Sequence, residues 1–377
     1  MSEVHAARRS RLSDRCAAAG RAAVLVSRPA NVRYLAGAAP DGSVLLLGPA
    51  EDVLLCSRDP SGDLPPRPAA ETAPSERLTE DLRVLVLPSP GEDSAVAAAG
   101  LAAAAGAETL AVEEHHLTVA RHRAAASAAP GLRLADLGTA VEQQRLIKDE
   151  EEIARLRIAS EIADQALGEL LESILVGRTE RHLALELERR LVDHGADGPA
   201  FATSVATGPN AGAAGHLPTD RRVEEGDFLN VRLGANYRGY RCELGRTFVI
   251  GTSPAGWQIE LYELVFAAQR AAREALVPGT AYREVDRAAR QILDAAGYGE
   301  GLGSSTGHGV GLEIDEDPQL STEGMGKLDV CVPVAVEPGV HIPGRGGVRI
   351  DDTLVVRPEA DGGPELLTIT TKELLAL

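Results

Sequence analysis

Three short stretches in the last quarter of the chain carry the side chains best suited to chemistry. They are Gly307-His308-Gly309-Val310-Gly311-Leu312, Val336-Glu337-Pro338-Gly339 and Val348-Arg349-Ile350-Asp351-Asp352-Thr353. Imidazole and carboxylate groups take up and release protons and bind cations. A histidine between two glycines lets imidazole and backbone come close to a bound group, because glycine has no Cβ to hold it off. Glu-Pro-Gly after an apolar run sets a carboxylate just before a forced turn. His308, Glu337 and Asp351 are costly to bury, yet each stands beside an apolar, strand-like run. The rest of the chain is read as the scaffold that gathers them.

Composition bounds that scaffold. The chain has 377 residues, enough for two domains with ample core. Apolar residues make up 44% and aromatics only 3%, so the core is built of Ala, Val and Leu. No apolar run reaches the ~18 residues of a membrane span. The N-terminus lacks the apolar stretch of a secretory signal. A formal charge of −18 argues against nucleic acid or an anionic membrane as partner and favours solubility. Cys16, Cys56, Cys242 and Cys331 are scattered, with no C-x-x-C spacing. They read as reduced thiols of a cytoplasmic protein rather than a disulfide or zinc framework.

The first part of the chain alternates strands and helices. A helix is expected at 7–20, strands at 22–27, 43–47, 52–56, 83–87 and 109–112, and an alanine-rich helix near 94–105. Arg28-Pro29-Ala30-Asn31 reads as a turn, and 57–80, rich in Pro, Asp, Ser and Glu, as a surface loop. This is an α/β layer domain over 1–138. From Asp149 the pattern turns helical. Ile153, Leu156, Ala159, Ala163, Leu167, Leu170 and Ile174 form one stripe of a long helix stopped by Gly177. A second helix spans 179–194, with Gly195 beyond it. Strands follow at 228–233 and 241–249, helices at 255–275 and 282–296, and strands at 332–336 and 349–356. Two helices and then strands thus occur twice, at about 150–250 and 255–357, a repeat of pattern rather than identity. Such a duplication makes sheets backed by helices, with side chains of both halves at one site.

At this level the chain resembles the pita-bread family of Xaa-Pro aminopeptidases, prolidases, methionine aminopeptidases and creatinase. Asn31, Tyr34, Leu35 and Gly37 match the N-terminal domain of the prolidase and creatinase branch. Arg145-Leu146-Ile147-Lys148 with Glu152-Ile153 matches the entry to the catalytic domain. Phe201, Gly208, Asn210 and His216 match its first active-site loop, with the spacing to His216 shifted by a residue. Gly226-Asp227, Gly234, Gly239-Tyr240 and Arg246-Thr247-Phe248 match its hairpin, and GHGVGL, EPG and GGVRIDDT complete the series. The resemblance implies an α+β pita-bread catalytic domain over 139–377 behind the smaller α/β domain, and a homodimer.

The resemblance also implies a site, from which this chain departs. Peptidases of the family hold two divalent ions on two Asp, a His and two Glu. Here the first Asp position is Arg232, the second is Glu243, the His is His308, and the two Glu positions are Glu337 and Asp351. A further family histidine falls on Asp315. Arginine offers only donors and stays charged, so a two-metal site is not expected. Glu243, His308, Glu337 and Asp351 remain as ligands for no metal or one divalent ion, Mn, Zn or Fe. Three carboxylates with Arg232 sum to about −2, which calls for an ion, a proton or a cationic partner. Arg232 locked against Glu243 and Asp351 is one such answer.

The expected function is hydrolysis of a C–N bond in a small peptide-like or amidino substrate. His216 is the expected acid or base. His308 and Glu337 orient water or substrate, and Arg232 holds a substrate carboxylate or a developing oxyanion. The alternatives are a non-catalytic peptide- or partner-binding relative and a retooled enzyme of specialised metabolism.

Overall fold

The computed structural model describes residues 2–37, 39–57, 82–88, 91–173, 175–299 and 303–377. The chain divides into two compact units, Met1–Arg145 and Leu146–Leu377. The expected loop at 57–80 beyond Ser57, and Ile174 of the helical stripe, lie outside the described residues.

The first unit is built on a six-stranded mixed sheet ordered Arg83–Val86, Asp52–Cys56, Val44–Leu47, Ala23–Val26, Thr109–Val112 and Arg133–Asp136. Ala23–Val26 runs antiparallel to Val44–Leu47 and parallel to Thr109–Val112. Its residues are all buried, as a continuous apolar run flanked on both sides requires. Helix Ser94–Ala104 supplies Ala95, Ala98, Ala99 and Ala102 to a core shared with Leu25, Leu46 and Leu110. Small side chains let helix and sheet approach closely, which compensates for the scarcity of aromatics.

Three details differ from expectation. The turn expected at 28–31 is the start of helix Pro29–Ala36, whose first turn holds the proline. Proline's fixed φ and missing N–H suit that position, so the same residue signals a turn or a helix start. Helix Val119–Ala128 and strand Arg133–Asp136 went unread, because both lack a clear apolar period and the strand is half exposed. The division falls at 145/146 rather than 138/139, because helix Ala140–Arg145 belongs with the first unit. Arg145 Nη1 donates to Asn31 Oδ1 at 2.7 Å, and Tyr34 Oη donates to the Gln144 carbonyl at 3.0 Å.

In the second unit the duplicated pattern is present. Helix Glu150–Leu171 opens with a reciprocal capping box: Asp149 accepts from Glu152 N, and Glu152 accepts from Asp149 N. Its buried face includes Ile153, Leu156, Ala159, Ala163, Leu167 and Leu170, and it ends at Leu171, short of Gly177. Helix Glu180–Asp193 is capped by Thr179. Leu183 and Leu187 pack with Val205, Val231 and Leu244 of a three-stranded sheet, Leu244–Val249, Phe228–Leu233 and Ser204–Thr207. In the second half, helices Gly256–Glu274 and Tyr282–Ala295 put Leu261, Val265, Val285 and Leu293 against Val334, Val336 and Leu354. Those three belong to a five-stranded sheet ordered Glu316–Ser321, Ser305–Gly309, Pro333–Val336, Asp352–Val355 and Glu365–Leu366.

Among the bonds that stitch the two halves, one pair is reciprocal between backbones. Gly245 N donates to the Asp351 carbonyl and Asp351 N to the Gly245 carbonyl, both at 3.0 Å. A Cβ on residue 245 would collide with the Asp351 carboxyl group, so glycine is required by that close approach. Among the described residues no helix is long and apolar enough to cross a membrane.

Candidate functional site

The stitch between the halves sets the positions of the charged side chains. Arg232 lies in strand Phe228–Leu233, opposite Gly245 on one side and Ser204 on the other. The strand expected at 241–249 is interrupted, and Glu243 stands in the gap before Leu244–Val249. Thr353 Oγ1 replaces the missing ladder there: it accepts from Glu243 N at 2.9 Å and donates to the Glu243 carbonyl at 2.8 Å. His308 sits in a central strand, between Gln319 and Ala335. The glycines beside it answer a need other than the one first inferred. A Cβ at 307 would run into the Ala335 carbonyl, and one at 309 into the Asp317 carbonyl. Close strand packing, rather than approach to a bound group, accounts for them. Glu337 follows Pro333–Val336, with its N–H on the Thr306 carbonyl at 2.8 Å.

These elements bring five of the expected residues into one buried cluster, together with Arg349. Arg232 Nε donates to Glu243 Oε1 at 2.5 Å. Its Nη2 is 3.6 Å from Glu337 Oε2, and its Nε is 3.8 Å from Asp351 Oδ2. Arg349 Nη2 donates to Glu337 Oε2, and Arg349 Nε donates to both Asp351 oxygens at 2.9 and 2.7 Å. Each glutamate is therefore capped on one oxygen by a guanidinium. The other oxygens face His308: its Nε2 is 3.5 Å from Glu243 Oε2 and 3.7 Å from Glu337 Oε1. His308 Nδ1 lies 3.1 Å from the Gly309 carbonyl, which fixes the proton there and turns Nε2 to the carboxylates. Among the described residues Glu243 Oε2 is buried with no hydrogen-bond partner. Arg232 closes the cluster from its open side, one-third exposed (33%), with its guanidinium carbon 4.5 Å from the centre of the Phe201 ring.

Burial and charge pull these groups apart in acidity. For Glu243, burial opposes ionisation, but Arg232 and His308 outweigh it and hold the carboxyl well below its usual range. Glu337 goes the other way, to about 7, because burial and the Glu243 charge exceed the help from Arg349. Asp351 rises to about 6 through burial, against the pull of Arg349. Burial alone would lower His308, yet Glu243 and Glu337 raise it to about 9. Arg349 is likewise held protonated by Asp351, Glu337 and Glu243 in spite of its burial.

Two expected residues stand outside the cluster. His216 Nε2 lies 2.9 Å from Glu180 Oε2. Glu180, wholly buried, also accepts from Thr207 N, Asn210 Nδ2, Thr219 N and Thr219 Oγ1. Burial opposes its ionisation, but these donors lower its pKa. The His216 loop is tied back by Ser204 Oγ, which donates to the His216 carbonyl at 3.1 Å; Ser204 is the residue opposite Arg232. Asp315 is exposed and accepts from Gln319. Sequence reasoning passed over Arg349, Glu180 and Thr353. Arg349 was legible in principle, since residues two apart near strands share a face with each other, here with Asp351.

Comparison with known proteins places this geometry. Residues 154–358 match the model of metallopeptidase family M24, and residues 8–147 match the creatinase/prolidase N-terminal domain. The chain belongs to metallopeptidase family M24. It is 40% identical over 235 residues to a Xaa-Pro dipeptidase of Pyrococcus furiosus, covering 62% of this chain and 66% of that protein, just under two thirds of its length. It is 35% identical over 272 residues to an uncharacterized peptidase, YqhT, of Bacillus subtilis, covering 72% of this chain and 76% of that protein. The solved structure of a Xaa-Pro dipeptidase from Bacillus anthracis superposes with a TM-score of 0.88 at 29% identity, covering 99% of this chain and 100% of that one. The pita-bread α+β fold behind a creatinase-type N-terminal domain is thus the fold of this M24 member.

Membership of a metallopeptidase family implies divalent ions, and the cluster can be tested against them. Ligand atoms ~2.1 Å from a tetrahedral ion stand ~3.4 Å from one another. The 3.5 and 3.7 Å separations at His308 Nε2 meet that spacing. Glu243, His308 and Glu337 form a group whose ligand atoms all lie within 4.8 Å of one another. These three residues fit one ion. Asp351, expected as a fourth ligand, has both oxygens on Arg349. The M24 unit has no part in a second group of this kind, Glu113, His115 and Glu142 in the first unit. There Glu113 accepts from Ser27 N, Arg28 N and Asn31 Nδ2, so it serves to hold the start of helix Pro29–Ala36.

Proposed function

We propose that this chain hydrolyses a C–N bond in a short peptide or an amidino compound. One observation carries the reading. Glu243 and Glu337 each turn one free oxygen to His308 Nε2 in a buried cluster whose Arg232 side is open. Such a cluster is an acid–base group with an entrance. Glu337, near 7, takes and returns a proton at neutral pH. His308 orients the group bound between the carboxylates. The exposed part of Arg232 supplies positive charge to a substrate carboxylate or a developing oxyanion. His216, steadied by the ionised Glu180, is the second proton carrier at the entrance. With a divalent ion held by Glu243, His308 and Glu337, Glu337 would serve as a ligand in place of its proton role, His216 would remain the proton carrier, and the ion would supply Lewis-acid polarisation of the scissile carbonyl. The names of the relatives, Xaa-Pro dipeptidases, support a short peptide as substrate. A homodimer and a cytoplasmic location complete the reading.

The test is a panel of Xaa-Pro dipeptides, creatine and amidino acids, assayed with and without added Mn²⁺. We expect turnover of at least one class, reduced ~100-fold or more in Glu337→Gln. Absence of turnover across the panel, with short peptides still bound, would establish the second reading, a non-catalytic binding protein. That reading has its own observation: Arg232 and Arg349 already cap one oxygen on each glutamate without any group from outside. Light scattering on the purified chain checks the dimer.

A further inference from the structure

We infer that the cluster is a one-ion site: Glu243 Oε2, His308 Nε2 and Glu337 Oε1 hold a single divalent cation, and Arg232 takes the ground of a second. The inference concerns the same site as the hydrolase reading but does not depend on turnover.

The buried Glu243 Oε2 is the first reason. A carboxylate oxygen buried out of water with no donor is unfavourable, so the position asks for a cation from outside. His308 Nε2 stands 3.5 Å from it, longer than a good N–H···O hydrogen bond and at ligand–ligand range. The second reason is denticity. Arg232 occupies Glu243 Oε1 and Arg349 occupies Glu337 Oε2, so each carboxylate has one oxygen left to give. Asp351 has none. The His308 tautomer is set by the Gly309 carbonyl, leaving the Nε2 lone pair for the ion. The third reason is exclusion. A second cation near Glu243 Oε1 would meet the Arg232 guanidinium, which has no lone pair to offer and like charge to repel it. Two carboxylates and an imidazole, without thiolate, suit Mn, Fe, Co or Zn. Three protein ligands leave one position open, the pattern of catalytic rather than structural sites.

The experiment is equilibrium dialysis of the chelator-stripped full chain against Mn²⁺, which largely ignores the four thiols, with elemental analysis of the dialysed protein. Wild type is expected to hold one ion per chain. His308→Ala and Glu243→Gln should weaken binding at least ~100-fold, with Glu337→Gln in reserve if either fails to fold. Arg232→Asp should raise the stoichiometry to two. No ion or two ions in wild type overturns the inference, as does an Arg232→Asp variant that still binds one. One ion bound without any turnover leaves the inference standing and fells the hydrolase reading. Turnover by a chain that binds no ion does the reverse.

Discussion

Replacing Arg232 by methionine keeps the length of the side chain and removes its charge. In the chelated protein this leaves Glu243, fully buried, with His308 Nε2 at 3.5 Å from Oε2 and Arg349 Nη2 at 3.6 Å from Oε1 as the remaining counter-charges, neither as close as Arg232. Removing one partner of a buried pair costs ~3–5 kcal/mol. Because Arg232 is one-third exposed and Arg349 remains, we expect the lower part of that range or slightly less, ~2–3 kcal/mol at pH 8. For the Leu146–Leu377 unit this corresponds to a drop in melting temperature of roughly 4–12 °C. The pH dependence has a definite sign. In wild type Glu243 has a depressed pKa, so its contribution is present above the unfolded carboxyl pKa and is lost only as pH falls through the lower folded value. In the variant Glu243 accepts a proton at higher pH, which relieves the cost. The difference between the two proteins should therefore be greatest at pH 8 and shrink toward pH 5. Adding Glu243→Gln to the variant should recover most of the loss, because no buried charge is then left unpaired. Urea unfolding with chelator present, at three pH values, measures all of this. A gap under ~1 kcal/mol, or one independent of pH, would refute the pairing as the source of stability.

Gly245→Ala places a Cβ against the Asp351 carboxyl group at the stitch between the halves, and should cost ~2 kcal/mol or more by thermal melting. Arg246→Met empties a buried guanidinium that donates to the Thr370, Thr371, Gly245 and Asp351 carbonyls and to Asp352. It should destabilise by ~3 kcal/mol or more and expose the 367–377 segment to limited proteolysis. In the chelated chain, His308, raised to about 9, contributes stability that is whole below its unfolded pKa near 6.5 and is lost as pH climbs through 9. Chemical unfolding of wild type against His308→Gln at pH 6, 8 and 9.5 should show the gap closing with rising pH.

Much of the scaffold was legible because its elements follow single rules. The Glu150–Leu171 stripe has the helical period, and Asp149 with Glu152 announces its start. The strand Pro333–Val336 leading into Glu337 is an unbroken, buried apolar run. What was not legible depends on tertiary contact. Pro29 reads as a turn until helix Pro29–Ala36 is seen to continue from it. Glu243 reads as part of a continuous strand, because nothing local shows that Thr353 Oγ1 stands in for the ladder there. Among site residues, motif position located Arg232, Glu243, His308, Glu337 and Asp351. It could not show that Arg349 takes both oxygens of Asp351, nor that His216 is held by Glu180.

The exchange at position 232 also makes electrostatic sense. In the ligand set that the family resemblance implies, an aspartate stands at this position and holds part of a second divalent ion. The aspartate and that ion together carry +1, and an arginine carries +1. A chain that trades both for a guanidinium leaves the charge of the cluster unchanged. Glu243, Glu337 and Asp351 still see the same net charge there, now attached to the strand Phe228–Leu233 rather than drawn from solution. Position 232 is therefore a better tolerated site for such a change than 337 would be, where a cation would face both His308 and Arg349 and leave Glu243 as the carboxylate they share. The same count explains why the change stops at one. Glu243 Oε2 and Glu337 Oε1 both face His308, and among the described residues Glu243 Oε2 has no hydrogen-bond partner, which is where the one-ion reading puts a cation supplied from solution.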